Sequence, residues 1–455
     1  MKRFLSLLMA IVMLSMCFGL VACDDGERKI LINGENLAEY TVVIPEGCDT
    51  ITQYASENFI FLVKEALGIE LPVVTDATSP TEKEILIGET NRPESKTAVE
   101  LKNGEYLLFT SGEKIVMKGY GIYVGGACGD FVNIHIKPKL NTNSNKIKID
   151  SLPDKPVACE FKFTSSYKNV ILMIGDGMGK QHIKMAEVNG LGEFVGRSFP
   201  YNGSVTTASL SVLEEEIGWT DSAAAATAMA TGHKTYNAYL GLDGNGDTLL
   251  NVRELARSKG AKTAVVTTDV ITGGTPAGFL CHHNNRRDTE ILQSQIDEII
   301  ANNGIDYIKG SVGNDLTKET KSALETISAE DSQFFIMIEE AYIDKYSEAH
   351  EYINTINAVK RFNDSIIYAA EFVLCHPDTA LIVTADHETG QLTPNLNMGS
   401  KYEFKTYHHT NLNVSVFAMG PGTEIFNGTT VDNTDIAKFT ALAYSNEAFG
   451  DSKDY

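Results

Sequence analysis

A serine between an aspartate and four alanines is the residue of this chain that is best suited to nucleophilic chemistry. Asp221-Ser222 precedes the run Ala223–Ala226. Asp221 has the side chain of a helix N-cap, which would place Ser222 in the first turn of a helix. The free N–H groups and the positive dipole end of a helix bind phosphate well, so Ser222 is placed to attack a phosphate group. A capped, buried helix with an inert serine is the alternative.

Carboxylates and histidines lie at the ends of apolar runs that are typical of buried strands. Some come just after a run, one is at its end, and one comes before it. The residues that share this placement, or lie close to it, are Asp176, Glu339, Asp344, Asp386, His387 and His409. In an open α/β sheet, ligands bind beyond the carboxyl ends of the strands, where such residues meet. Carboxylate and imidazole groups bind divalent metal ions. Together with Ser222, the set predicts more than one metal ion beside a single hydroxyl nucleophile.

The apolar runs after Lys168 are continuous rather than alternating. They are Val170–Ile174, Thr263–Thr267, Phe334–Ile338, Ala380–Thr384 and Val414–Met419. Such runs are typical of parallel strands that helices cover on both faces. We therefore predict an α/β domain over residues 168–449, with a mostly parallel central sheet and helices on both faces.

Residues 30–138 have a different pattern and predict a small α+β domain. Its predicted strands are Tyr40–Ile44, Leu71–Val74, Glu84–Ile87, Tyr106–Thr110 and Lys114–Gly119. Thr50–Leu67 is predicted as an amphipathic helix that ends at Gly68. The run LPVVTDATSPTEKEILIGETNRP resembles the noncatalytic domain that precedes the catalytic barrel of some glycoside hydrolases. Residues 139–167, with NTNSN and two prolines, are predicted to be a linker.

Residues 1–23 have the pattern of a secretion signal, with a basic start, an apolar stretch and the ending Leu-Val-Ala-Cys. This ending resembles the lipobox of bacterial lipoproteins, which implies a lipid on Cys23. A short membrane-anchoring helix is the alternative. Either way, we expect an extracytoplasmic protein held at a membrane surface, on the cell surface or in the periplasm.

The net charge of −22 argues against nucleic acid as a partner, since the chain offers no basic face. An anionic substrate would therefore need local compensation from metal ions and arginine. The five cysteines after Cys23 are irregularly spaced and odd in number, which does not indicate a disulfide framework. The sequence leaves open whether the chain contains a single disulfide bridge.

Six motifs occur in the order ILMIGDGMG, TDSAAAATAMATG, GTPAGFLCHHNNR, EEAYIDK, TADHETG and HHTN followed by FAMGPG. With them, residues 168–445 resemble the alkaline phosphatase family. The resemblance implies that Ser222 is a nucleophile that becomes phosphorylated, that Arg286 binds two phosphate oxygens, and that Lys345 lies near the phosphate through water. It also implies two Zn²⁺ ions and one Mg²⁺ ion. The implied ligands are Asp176, Asp386 and His387 for one zinc, Asp344 and His409 for the other, and Asp176, Thr275 and Glu339 for magnesium.

Two positions depart from the family pattern. Glu348 stands where the family usually has histidine, four residues after Asp344, and His350 follows two residues later. Because positions i and i+4 share a helix face, we expect Glu348 rather than His350 to complete the second zinc site. Gly273 stands where the family usually has aspartate or histidine, so the third metal, Mg²⁺ or Zn²⁺, stays open.

The predicted function is that of an alkaline phosphatase, a metal-dependent hydrolase of small phosphate monoesters that works through a phosphoserine. One alternative is a phosphodiesterase or another hydrolase on the same metal scaffold. The other is a surface-binding lipoprotein whose catalytic site has decayed. A homodimer, and glycan contact by residues 30–138, are left open by the sequence.

Overall fold

The computed structural model describes residues 29–142, 144–215, 217–395, 402–445 and 447–452. The predicted signal and Cys23 lie outside the described residues. In the ranges that the structure describes, none of the helices combines the length and the apolar character needed to cross a membrane. The cysteines in these ranges, from Cys48 to Cys375, are all free.

An eight-stranded sheet is the centre of the C-terminal region as far as the structure describes it. In spatial order its strands are Tyr307–Gly310, Lys262–Thr267, Phe334–Glu340, Asn169–Gly175, Thr379–Thr384, Val414–Met419, Tyr201–Thr206 and Thr430–Asp432. The mostly parallel sheet is confirmed. The prediction that all five apolar runs form parallel strands is wrong for Val414–Met419, which runs antiparallel to both of its neighbours. A continuous apolar run reports burial on both faces and carries no information on strand direction.

Helices flank this sheet in two groups. The α-helices are Lys180–Ala186, Leu210–Glu214, Ser222–Thr231, Val252–Ser258, Gly274–Leu280, Thr289–Ala301, Leu316–Ser328, Tyr342–Glu348, Tyr352–Cys375 and Asn433–Ala441. Ser222–Thr231 packs against Gly274–Leu280 and Asn433–Ala441. In the other group, Tyr352–Cys375 packs against Leu316–Ser328.

The N-terminal region contains a six-stranded and a three-stranded sheet. The strands of the larger sheet, in spatial order, are Val73–Thr75, Thr41–Ile44, Glu84–Ile87, Lys114–Gly119, Glu105–Ser111 and Cys159–Glu160. The strands of the smaller sheet are Glu35–Asn36, Lys29–Ile32 and Lys146–Ile149. The helices Thr50–Leu67 and Val124–Asp130 pack on each other, and Thr50–Leu67 ends at Gly68 in the left-handed conformation, φ 68°.

The segment 139–167 is more than the linker that we predict. Its strand Lys146–Ile149 pairs in parallel with Lys29–Ile32, and Cys159–Glu160 pairs with Glu105–Ser111. Both strands therefore belong to the sheets of the N-terminal region. The sequence KIKI alternates exposed and buried residues, but it is too short to stand out from the polar residues around it.

The helix Tyr352–Cys375 joins the two regions. It contacts the strands Asn169–Gly175 and Thr379–Thr384 and also packs against Thr50–Leu67. At this contact the rings of Tyr54 and Tyr368 meet edge to face at 5.4 Å. These contacts on two sides bury most residues of the helix, in agreement with its largely apolar sequence.

Candidate active site

Three neighbouring strands bring their acids to one edge of the central sheet. Asn169–Gly175 lies between Phe334–Glu340 and Thr379–Thr384, and all three strands are parallel. Asp176 follows the first strand, Glu339 is near the end of the second, and Asp386 lies just beyond the third. The carboxyl ends of parallel strands meet at one edge, so these carboxylates converge in the fold.

A two-residue ribbon brings in the histidines. Thr389 pairs with His409 across antiparallel strands, which places the segments that carry His387 and His409 side by side. Their rings are stacked, with centroids 3.6 Å apart and planes inclined by 18°. Nδ1 of His409 lies 2.9 Å from the carbonyl oxygen of Thr220. Nδ1 donates its proton to this oxygen, so Nε2 is the ring nitrogen that a metal ion can bind.

The predicted nucleophile lies at the start of the helix Ser222–Thr231. Asp221 is the N-cap, and its Oδ1 accepts a hydrogen bond of 2.9 Å from the backbone N–H of Ala224. Ser222 is buried, and its Oγ lies 3.3 Å from Nε2 of His387. The helix N-terminus therefore presents a hydroxyl group directly to a histidine of the strand-end cluster.

The first donor cluster consists of Asp176, Asp386 and His387. Nε2 of His387 lies 3.5 Å from Oδ1 of Asp176 and 3.2 Å from Oδ2 of Asp386. Both of these carboxylate oxygens are buried and lack a hydrogen-bond partner in the described residues. Asp386 is oriented through its other oxygen, which accepts backbone N–H groups from Gly177 and His387, at 3.0 and 2.9 Å.

The charge state of this cluster is unfavourable without a cation. Burial, reinforced by the charges of Asp386 and Asp344, raises the pKa of Asp176 well above its usual value. Burial also lowers the pKa of His387 far below its usual value, so the imidazole is neutral. Neutral imidazole and crowded carboxylates with unpaired oxygens are the donor set that a divalent metal ion requires. The residues present fit such an ion.

A second donor cluster surrounds His409. Its Nε2 lies 3.4 Å from Oδ1 of Asp344 and 3.5 Å from Oε1 of Glu348. Burial lowers the pKa of His409, but the carboxylates of Glu348 and Asp344 outweigh it and raise the pKa to about 9. Asp344 also accepts a short hydrogen bond from the hydroxyl of Thr389. These carboxylates face Nε2 of His409, so a cation bound there would replace the proton on Nε2.

His350 points elsewhere. Its Nε2 lies 2.8 Å from the carbonyl oxygen of Thr406, and its ring stacks on Tyr407 with centroids 3.9 Å apart. The helix Tyr342–Glu348 ends before it, and His350 has a left-handed backbone, φ 56°. Glu348 is thus the residue of this pair that faces His409.

Glu339 and Thr275 lie in a third, adjoining group. Burial raises the pKa of Glu339 to about 7, while the hydroxyl of Thr267 acts in the opposite direction. Thr267 donates a short hydrogen bond to Glu339, whereas Oγ1 of Thr275 has no partner at hydrogen-bond distance in the described residues. An unpaired hydroxyl beside a buried carboxylate also fits a cation.

Asp269 is a residue of this group that the sequence reasoning missed. Its Oδ1 lies 2.5 Å from Nζ of Lys345. Its Oδ2 would lie only 2.8 Å from a Cβ atom at Gly273, so the absence of a side chain there makes room for this carboxylate. Asp269 follows the strand Lys262–Thr267 as Asp176 follows its own strand, and the same signal could have revealed it.

Arg286 reaches the start of the nucleophile helix. Its Nη1 lies 3.2 Å from Oδ2 of Asp221, which also accepts the backbone N–H of Ala238 at 3.0 Å. Gly274 permits this approach, because a Cβ atom there would lie 2.3 Å from Nη2 of Arg286. A fixed guanidinium beside a hydroxyl and two donor clusters can bind the oxygens of a tetrahedral anion.

Comparison with known proteins identifies the family of the chain. The model of the family "Alkaline phosphatase" matches residues 167–312 and 305–398. Alkaline phosphatase 4 of Bacillus subtilis strain 168 is 29% identical over 291 residues, 50% of this chain and 63% of that protein. Alkaline phosphatase of Escherichia coli K12 is 37% identical over 143 residues, 30% of this chain and 28% of that protein.

A solved structure extends the comparison to the fold. The alkaline phosphatase from the Antarctic bacterium TAB5 superposes with a TM-score of 0.57 at 28% identity, over 62% of this chain and 98% of that one. The α/β fold, with clusters of carboxylate and imidazole groups at its strand ends, is that of a metal-binding α/β protein. The chain belongs to the alkaline phosphatase family. It spans less than two thirds of the length of its first curated relatives, 63% and 61%.

Proposed function

We propose that this protein is a metal-dependent hydrolase of phosphate monoesters, with Ser222 as its nucleophile. One observation carries the proposal: Oγ of Ser222 lies 3.3 Å from Nε2 of His387, which is itself beside unpaired carboxylate oxygens of Asp176 and Asp386. A buried serine in such surroundings needs an activating cation, and it is positioned to use one. Membership of the family supports the same activity.

The proposed reaction has two steps that use the chain's own groups. Ser222 gives up its hydroxyl proton and attacks phosphorus, and the bond from phosphorus to the leaving oxygen breaks in line with this attack. The leaving oxygen takes up a proton as alcohol. Water then loses a proton and attacks the phosphorus of the phosphoserine, and the bond from phosphorus to Oγ breaks. Oγ takes up a proton, which regenerates Ser222 and releases inorganic phosphate. Throughout, the guanidinium of Arg286 and the N–H groups of the first helical turn bind the non-reacting oxygens.

Two Zn²⁺ ions and one Mg²⁺ ion are the cofactors of this proposal. When bound, they neutralise charge on the attacking and leaving oxygens and lower the pKa of a coordinated hydroxyl group. Asp176, Asp386 and His387 would hold one zinc. Asp344, Glu348 and His409 would hold the other, and Asp176, Thr275 and Glu339 would hold the magnesium. The second set has more oxygen donors than a histidine-rich site, which weakens its preference for zinc.

Lys345 has a supporting role in this scheme. It is bound to Asp269, at the end of the strand next to the one that carries Glu339. As the family resemblance implies, we propose that this ammonium group lies near the phosphate through water and is not a metal ligand. Asp269 is the positioning residue that keeps Lys345 in this place.

We further propose that the protein acts outside the cytoplasm. The support is the signal-like sequence of residues 1–23 and the cysteine at position 23. A lipid on Cys23 would hold the enzyme at a membrane surface. Mass spectrometry of the mature N-terminus, with Cys23→Ala as the control, tests this point separately from catalysis.

The activity is tested by hydrolysis of p-nitrophenyl phosphate beside its bis-ester and its sulfate analogue. We expect turnover of the monoester, loss of turnover after EDTA treatment, and recovery with Zn²⁺ and Mg²⁺ together. Preferred turnover of the bis-ester would favour a phosphodiesterase. No turnover of any of the three esters by protein shown to hold its metals would favour a decayed site.

A further inference from the structure

An exposed pair of rings stands directly beside the second donor cluster. The indole of Trp219 and the imidazole of His408 are stacked, with centroids 5.2 Å apart and planes inclined by 3°. Trp219 is still 37% exposed, and His408 is exposed as well. Solvent-exposed aromatic rings are costly unless they contact something, and a parallel pair offers a flat surface to a further ring.

The backbone places this pair of rings close to the second donor cluster. Trp219 precedes Thr220, whose carbonyl oxygen accepts the hydrogen bond of 2.9 Å from Nδ1 of His409. His408 immediately precedes His409. The two rings are thus each one residue away from the two partners of a single hydrogen bond. This bond orients the imidazole of the second donor cluster, so the pair cannot lie far from it.

The direction of the reaction places the leaving group on the side of the site where this pair of rings lies. Ser222 contacts His387, the histidine of the first donor cluster. In an in-line displacement the leaving oxygen lies opposite the attacking oxygen, and therefore on the side of the second cluster with His409. A leaving group that departs there projects outward past His409. Because Trp219 and His408 are the neighbours of Thr220 and His409 in the chain, they belong to this side of the site.

We infer that Trp219 and His408 form a leaving-group subsite that favours phosphate monoesters with a planar ring. The inference rests on the proposed function and names a substrate class for it. Two sources share this chemistry: aryl phosphates, in which the ring is attached to the ester oxygen, and nucleoside monophosphates, in which a sugar separates them. Stacking on a flat face depends little on the identity of the ring, so the subsite selects rings over alkyl chains and not one ring over another.

The kinetic test compares three substrates: phenyl phosphate, adenosine 5′-monophosphate and glycerol phosphate. In Trp219→Ala, we expect kcat/KM for the preferred ring ester to fall about three- to tenfold relative to glycerol phosphate, mainly through KM. Trp219→Phe, which keeps a ring, should retain most of the preference. A fall for phenyl phosphate alone points to aryl phosphates, and a fall for the nucleotide alone points to nucleotides. Tyr120→Ala is the matched control, an exposed aromatic residue of the N-terminal region.

A binding test is independent of turnover, because Trp219 is the single tryptophan of the chain. Its emission is measured in the metal-loaded Ser222→Ala variant during titration with phenyl phosphate, the nucleotide or inorganic phosphate. We expect at least one ring ester to change the emission at saturation more than inorganic phosphate does. Equal responses to all three ligands, or a substrate preference that Trp219→Ala leaves unchanged, would overturn the subsite. If the wild-type chain hydrolyses no ester, the proposed function fails, and the titration still decides the subsite.

Discussion

Oδ2 of Asp221 lies 3.2 Å from Nη1 of Arg286, so the residue that caps the nucleophile helix also holds the guanidinium beside it. A single carboxylate therefore sets the position of two groups that must act on the same phosphate. The helix start and the arginine belong to distant parts of the sequence, and Asp221 is the point at which the fold joins them.

The substitution Asp221→Asn separates these two roles. Asparagine is as good an N-cap as aspartate, so the helix should form normally. Its amide group cannot replace Oδ2 as the acceptor for the N–H of Ala238, so we expect a modest fall in the melting temperature. The charge that holds Arg286 is lost, and we expect inorganic phosphate to inhibit about three- to tenfold more weakly. Inhibition constants and melting temperatures measure the two effects. A large loss of stability with unchanged inhibition would show that the contact with Arg286 is incidental.

The pair Glu348→Ala and His350→Ala tests the second metal site. Glu348 faces His409, whereas His350 contacts Thr406 and Tyr407. We expect Glu348→Ala to weaken zinc binding by at least about tenfold, and His350→Ala to leave it nearly unchanged. Zinc content after dialysis against a graded chelator is the measurement. Stronger loss from His350→Ala would identify the histidine as the ligand.

Asp269 and Gly273 offer a test by compensation. Loss of the Asp269 charge beside Glu339 should weaken Mg²⁺ binding and release Lys345. We expect Asp269→Ala to raise the Mg²⁺ concentration needed for half-maximal thermal stabilisation by about three- to tenfold. Adding Gly273→Asp to this variant should restore part of the affinity, because its carboxylate would enter the space that Asp269 leaves.

The same Gly273→Asp change in the wild-type chain is the matched control. There the new Cβ atom would meet Oδ2 of Asp269 at 2.8 Å, so we expect lower stability and no gain in Mg²⁺ affinity. Equal effects of Gly273→Asp in both backgrounds would contradict the idea that the two positions share one space.

The metal-free protein should lose stability as the pH rises. Burial raises the pKa of Glu339 to about 7 and, against the opposing charge of His409, that of Asp344 to about 6. Between the ordinary and the raised pKa, the folded chain binds more protons than the unfolded chain, so the free energy of unfolding falls as the pH increases. Melting temperatures of chelator-treated protein from about pH 5 to about pH 8 measure this decline.

Glu339→Gln removes one of these titrating groups and should flatten the decline in the metal-free protein. Bound metal ions should abolish it, since they keep the carboxylates charged in the folded state. The same decline in Glu339→Gln as in the wild-type chain would mean that Glu339 is not crowded as described.

The sequence predicts the strand-end acids well because each follows a long apolar run. Asp176 and Asp386 come directly after such runs, and a parallel sheet leaves few other places for them. The helix Thr50–Leu67 and the strands Glu84–Ile87 and Lys114–Gly119 have the predicted bounds, because glycine and polar residues mark their ends.

Relationships between distant segments are what the sequence could not supply. The bond from His409 to the carbonyl of Thr220 involves a backbone atom and leaves no trace in residue type. The weak strands Tyr201–Thr206 and Thr430–Asp432 were missed because their residues are only partly buried and owe their form to sheet neighbours. Asp269 is a different case, because the strand Lys262–Thr267 before it is a signal that the sequence does contain.

The most direct test of the central claim is to trap the phosphorylated protein. Metal-loaded enzyme is mixed with a phosphate monoester, quenched in acid and digested, and the peptides are analysed by mass spectrometry. We expect one phosphate on Ser222, a signal that disappears both in Ser222→Ala and after removal of the metal ions. Steady turnover of the monoester by Ser222→Ala at the wild-type rate, or phosphate on a different residue, would contradict the account.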